Sequence, residues 1–246
     1  MTTQCDPQTG ACLLPDAETQ GTGPAGDRQV QVIYVGDPMC SWCWGMSPEV
    51  DALAAHCVDQ GLGFRMVMGG LRAGGGDAWN EAFRGFLRQE WTHIAAQTGQ
   101  PFGFGLLELP AFSYDTEPAC RAVVTAREML APGQDARREL AFFAAVQRKF
   151  YVEGEDPKEA AFYRDICTAN GIDPAEFERR FSSADIAAAT QADFRAARNM
   201  GVRGFPSVML QNAAGLQELS VGYASFATLT ARMEKIGLRT SGGQTA

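Results

Sequence analysis

Histidine is nearly absent from this chain: His56 and His93 are the only two, beside seven cysteines. That scarcity weighs against a tetrahedral zinc site, which draws four ligands from His, Cys and acidic residues. Cys5 and Cys12 would have to complete a four-cysteine set with Cys40 and Cys43, and the six residues between the first two make a loose knuckle. Basic residues are also in deficit, with 21 Lys and Arg against 29 Asp and Glu and a formal net charge of −8. Such a balance speaks against nucleic acid or an anionic membrane as the main partner. No apolar run approaches the length that spans a bilayer. The first residues, Met1-Thr2-Thr3-Gln4-Cys5-Asp6-Pro7, hold neither a basic n-region nor an apolar h-region. A cytoplasmic location is the expectation. Internal repeats and low-complexity runs are missing too, and the odd, scattered cysteines do not read as the disulfide framework of a secreted domain.

What is present centres on Asp37-Pro38-Met39-Cys40-Ser41-Trp42-Cys43-Trp44-Gly45. An apolar run, Val30-Gln31-Val32-Ile33-Tyr34-Val35, precedes it, and a helix-compatible segment over residues 49–60 follows. Strand, dithiol, helix is the setting in which a Cys-x-x-Cys pair does redox chemistry. A thiol at the first turn of a helix faces unpaired backbone N–H groups and the positive end of the macrodipole. Both favour thiolate, which makes Cys40 the expected nucleophile. Cys43, one turn further along, is spaced to attack a mixed disulfide formed on Cys40. Asp37 is the acid nearest the dithiol in sequence. It reads either as a base that takes the proton of Cys43 or as a loop residue bonding nearby N–H groups ahead of Pro38. Trp42 offers an apolar platform for a polypeptide, while Trp44 reads equally well as core.

Residues 1–28 are rich in Gly, Pro, Thr, Gln and Asp and are expected to form a mobile tail. Cys5 and Cys12 lie within it, either as idle thiols or as an auxiliary pair that exchanges with Cys40 and Cys43. Beyond the dithiol, Ser47-Pro48-Glu49 has the form of a helix start. Val50, Leu53, Ala54 and Cys57 then fall at helical spacing. Leu62, Phe64, Met66 and Met68 alternate as a second strand. From about residue 73 to 184 the pattern is helical, with aromatic stripes such as Phe83, Phe86, Trp91 and Leu140, Phe143, Phe150 that read as core, as do Cys120 and Cys167. A further helix over 186–200 leads to Gly201-Val202-Arg203-Gly204-Phe205-Pro206. A hairpin over 207–221 and a last helix over 226–236 complete the pattern.

This order, together with the Cys40-Ser41-Trp42-Cys43-Trp44-Gly45 and Gly201-Val202-Arg203-Gly204-Phe205-Pro206 motifs, resembles the DsbA-like thiol oxidoreductase family and, within it, the cytoplasmic FrnE-type branch. Glu117-Pro118-Ala119-Cys120-Arg121-Ala122 and Phe150-Tyr151-Val152-Glu153-Gly154 carry the resemblance further, and Cys5 to Cys12 looks like a tail seen in some members. The resemblance implies an α/β, thioredoxin-like fold with an α-helical domain inserted after the second strand. Residues 29–72 and 185–238 would make the thioredoxin-like part, 73–184 the insert, and 239–246 a C-terminal tail. It also implies that Cys40 is the nucleophile, Cys43 the resolving thiol, and Pro206 a cis residue facing them, with Phe205 and Trp42 beside the substrate. DsbA itself is similar but has Pro-His between its cysteines. Ser41 and Trp42 supply no positive charge, so a thiol pKa nearer about 7 than about 3.5 is expected for Cys40.

The expected function is disulfide exchange with protein or peptide thiols, with possible isomerase chemistry, no metal or organic cofactor, and glutathione or thioredoxin as redox partner. One rival is a glutathione-dependent isomerase or kappa-class glutathione transferase. Those enzymes resemble this chain in fold and insert but typically have serine where Cys40 stands. The other is a non-enzymatic module that holds unfolded chains in an apolar groove near Trp42 and Phe205.

Overall fold

The computed structural model describes residues 4–13, 30–130 and 136–236. The expected C-terminal tail and the rest of the expected N-terminal tail lie outside the described residues.

Strand β3 (Gln31–Gly36) is the centre of a four-stranded sheet, and from Val32 onward every residue is buried. A near-continuous apolar run of this kind is what a strand covered on both faces requires. Strand β4 (Gly63–Met68) runs parallel to it, from Gln31 opposite Gly63 to Gly36 opposite Met68. Parallel neighbours need a crossover. Here it consists of α1 (Ser41–Gly45) and α2 (Ser47–Asp59). Pro48 sits in the first turn of α2, whose N-cap is Met46, so α2 starts there as a helix separate from α1. On the other side of β3, β6 (Ser207–Asn212) runs antiparallel and pairs in turn with β7 (Gly215–Val221), giving the order β4-β3-β6-β7.

Between β4 and β6 come α3 (Glu81–Thr98), α4 (Glu117–Met129), α5 (Ala136–Arg148), α6 (Arg164–Ala169), α7 (Pro174–Phe181) and α8 (Ala184–Asn199). Their starts are chemically marked. The Asn80 side chain accepts from Phe83 N at 2.9 Å, and Asp173 from Glu176 N at 2.8 Å. The aromatic stripes meet in a core where the Trp91 ring lies 5.2 Å from Tyr151 and 5.7 Å from Phe102. Arg127 ties α4 to the sheet and to α8, donating to Met66 O at 3.1 Å and pairing with Asp193 at 2.8 Å. The last helix, α9 (Phe226–Lys235), packs against α2 and β7.

The expectation of a mobile tail fails for residues 4–13. β1 (Gln4–Asp6) and β2 (Ala11–Leu13) form a hairpin with Cys5 opposite Cys12, and the two are joined as a disulfide. β2 pairs antiparallel with the short strand β5 (Gly204–Phe205), Cys12 facing Phe205 and Leu13 facing Gly204. Polar composition predicts disorder because it offers little to bury. It says nothing of a backbone edge elsewhere that can pair with the segment. Two glycines let the hairpin close on the body. Gly10 turns at φ 65° and Gly222 at φ 83°, and a Cβ on Gly222 would stand 2.1 Å from the Thr9 carbonyl oxygen.

The sheet makes a stability prediction. Ile33→Ala, in the wholly buried centre of β3, should cost about 2–5 kcal/mol in urea unfolding. Leu216→Ala, 38% exposed on β7, should change stability by no more than about 0.5 kcal/mol. Equal losses would contradict the assignment of β3 as the core strand.

Candidate active site

The site begins where β3 ends. Asp37 accepts the Met39 N–H through Oδ1 at 2.8 Å, and its backbone carbonyl accepts the Cys40 N–H at 3.1 Å. That double hold turns the chain by an Asx-type geometry and leaves Cys40 as the N-cap of α1, with extended dihedrals. Cys43 lies in the first turn of α1, and both thiols are unbridged. The turn is braced from the helical side as well, because Tyr114 donates its hydroxyl to Met39 O at 2.9 Å and stands 3.4 Å from the Tyr151 hydroxyl.

Opposite the dithiol is the loop before β6. The Cys40 Sγ–H points at the Phe205 carbonyl oxygen at 3.7 Å, and the Phe205–Pro206 peptide bond is cis. Ser207 Oγ donates to Gly204 O at 2.7 Å, fixing the loop from its far side. Cys40, Cys43, Phe205 and Pro206 are therefore brought together. Asp37 joins them from beneath the turn.

Trp42 is placed differently from the open platform expected. It is fully buried, with the His93 ring 5.9 Å away and the Tyr223 ring 6.2 Å away. A Cβ on Gly10 would stand 3.1 Å from Trp42 Cε3, so the N-terminal hairpin lies directly on the tryptophan. Trp44, by contrast, donates Nε1–H to Pro101 O at 2.9 Å and belongs to the packing between α1 and the loop after α3. Cys5 and Cys12 are not idle thiols; they are bonded to each other, and Cys12 is buried beside Phe205.

Electrostatics follow from burial. Cys40 and Cys43 have no exposed surface. Burial pushes the Cys40 thiol well up, the neighbouring Cys43 and the Asp37 charge add to this, and only the Cys43 backbone N–H pulls the other way. A pKa near about 7 is thus not what this closed arrangement gives. The helix terminus is present, but desolvation of the thiolate outweighs it. Burial also raises the Asp37 carboxyl, although hydrogen bonds from Met39, Thr116, Leu71 and Cys120 act to lower it. Tyr34, beneath the dithiol, is raised by burial and then by Cys43.

Two partners of Asp37 escape a reading of the sequence. Cys120 Sγ–H donates to Asp37 Oδ2 at 3.3 Å, and Leu71 N–H donates to the same oxygen at 2.7 Å. Cys120 is buried as expected, but it serves as more than filler. The only sequence signal was the Glu117-Pro118-Ala119-Cys120 motif at the start of α4, which gives no hint of a contact 83 positions away. Among the described residues no helix is long and apolar enough to cross a membrane.

A family model described as the DSBA-like thioredoxin domain matches residues 31–234. Among solved structures, the Nitrosomonas europaea protein assigned as a protein disulfide isomerase is 30% identical, with a TM-score of 0.75 over 85% of this chain and 97% of that one. The cytosolic disulfide reductase DsbM from Pseudomonas aeruginosa is 28% identical, with a TM-score of 0.68 over 85% of this chain and all of the other. A curated relative, the ClpXP adapter protein SpxH of Shouchella clausii (strain KSM-K16), is 24% identical over 217 residues, 86% of this chain and 67% of that protein. With a thioredoxin-like α/β fold and a family match over most of its length, the chain belongs to the DSBA-like thioredoxin-domain family.

Proposed function

We propose that the chain exchanges disulfides with protein or peptide thiols through Cys40 and Cys43, running mainly as a reductase. The observation that carries this is the thiol of Cys40 at the start of α1, 3.7 Å from the Phe205 carbonyl, with Cys43 one turn on. The Cys40 thiolate attacks a substrate disulfide, one substrate sulfur leaves as thiolate, and a mixed disulfide forms. Cys43 then attacks Cys40 Sγ, closes the Cys40–Cys43 disulfide and expels the second substrate thiolate. Glutathione or thioredoxin returns the pair to the dithiol. Glutathione is supported by the DsbM structure solved with GSH, 29% identical over 84% of this chain and 98% of that one. The reductive direction and a cytoplasmic location are supported by the name of that same relative, a cytosolic disulfide reductase. Pro206 and the backbone of Phe205 would hold the substrate segment, and Trp42 would line its path.

Cys40→Ser should abolish reduction of insulin, whereas Cys43→Ser, in a chain whose Cys5 and Cys12 are also replaced by Ser, should lose turnover but accumulate a mixed disulfide with the substrate at Cys40. Capture of substrate by Cys43 in the Cys40→Ser chain would reverse the roles.

Asp37 is assigned as the proton acceptor when Cys43 attacks, a role supported by its burial under the turn and its raised carboxyl pKa. A base must be ionised, so the rate of resolution should climb with pH through an inflection above the ordinary carboxylate range. Asp37→Asn should slow that step on the order of 10²-fold and remove the inflection. A pH profile that keeps its inflection in Asp37→Asn would leave Asp37 only the bracing of the turn.

A further inference from the structure

Ala11 and Cys12 are 1% exposed, although the hairpin that carries them holds few apolar side chains. Strand pairing is what draws them in. β2 lies along β5 with Cys12 opposite Phe205, the residue whose carbonyl receives the Cys40 thiol at 3.7 Å. A second anchor runs from Tyr223 N–H to Gly10 O at 3.1 Å, and it seats the hairpin turn against Trp42. The hairpin therefore fills the edge at which an extended polypeptide would add as a strand, and it brings a disulfide to a reduced dithiol.

We propose that the Cys5–Cys12 hairpin is a tethered disulfide substrate of the Cys40–Cys43 dithiol, and that exchange between the two pairs opens the site. This rests on Cys40 being the nucleophile. The Cys40 thiolate attacks Cys12 Sγ; the Cys5–Cys12 bond breaks, its electron pair goes to Cys5, and Cys5 takes up a proton. Cys43 gives up its proton, attacks Cys40 Sγ and forms the Cys40–Cys43 disulfide, and Cys12 leaves as thiolate and is protonated. Two electrons and two protons pass from the dithiol to the hairpin, and no outside oxidant or reductant enters. Tethering makes the first attack intramolecular, at an effective concentration no free disulfide matches. Once reduced, the hairpin is two three-residue strands without a covalent clip, and an isolated pair of that length is marginal in water. It then yields the β5 edge, where glutathione or thioredoxin returns the Cys40–Cys43 disulfide to the dithiol before a substrate disulfide enters.

The test uses the full-length chain. Cys43→Ser stops the exchange after its first step. Tandem mass spectrometry of non-reduced tryptic peptides should then show the peptide ending at Arg28 joined to the one ending at Arg65, with Cys12–Cys40 linkage at least about tenfold above Cys5–Cys40. Cys5–Cys12 remaining intact while added oxidised glutathione is captured at Cys40 would overturn the proposal and leave the dithiol function standing. No capture at Cys40 of either kind would overturn both. As a second measure, Cys5→Ser/Cys12→Ser should raise iodoacetamide labelling of Cys40 at least about tenfold over the bridged protein, because the covering strand is no longer clipped. An unchanged rate would show that the hairpin does not control access, and would overturn the proposal.

Discussion

The register of β6 on β3 is the constraint from which the rest of the site follows. Val35 faces Ser207 across one edge of β3 and Val67 across the other. The residues after β3, Asp37 to Cys40, therefore emerge at the same end of the sheet as the residues before β6, Gly204 to Pro206. One residue of slippage would turn every side chain of β6 to the opposite face and carry the Phe205 carbonyl away from the Cys40 thiol. Val208 and Leu210, both with no exposed surface, make such a slip costly. The approach of thiol and carbonyl is thus secured by hydrophobic burial along the sheet rather than by any interaction of its own.

That packing also creates a conflict. The helix start would stabilise a thiolate on Cys40, but the closed arrangement withholds the water and the partners that a thiolate needs, and the thiol is driven up instead. The two influences are separable because they act on different parts of the structure. The helix terminus is built into the turn held by Asp37, whereas the hairpin beside the site is paired to a strand of only two residues. With the hairpin as a tethered substrate, reactivity at Cys40 would follow whatever occupies the β5 edge. The same coupling bears on direction. A thiol that is not held as thiolate gives no extra stability to the reduced form, which would make the couple more reducing than one with a charge between its cysteines, the sense the proposed reductase needs.

Much of this was legible in the sequence. The Cys40–Cys43 spacing, the apolar run before it and the Gly204-Phe205-Pro206 loop are local patterns, and local chemistry determines them: a buried strand, a helix start, a proline after glycine. The aromatic stripes of α3 and α5 were readable because helical periodicity survives any tertiary setting. What escaped depends on partners far away in sequence. Residues 4–13 look disordered until the β5 edge is known. Cys120 looks like core until it is found donating to Asp37. Trp42, read as a surface platform, is roofed by a turn whose Gly10 and Gly222 meet only in three dimensions. Neither composition nor periodicity carries information about which edge a polar segment will find.

The reduction potential of the Cys40–Cys43 pair, measured against glutathione with each cysteine pair mapped by mass, tests the central claim most directly. A two-electron transition at Cys40 and Cys43 is expected, at a potential nearer to about −270 mV than to about −120 mV, the thioredoxin-like rather than the strongly oxidising end of the range. A pair that never closes to a disulfide, or one that closes near about −120 mV, would contradict a reductase built on a buried, uncharged dithiol.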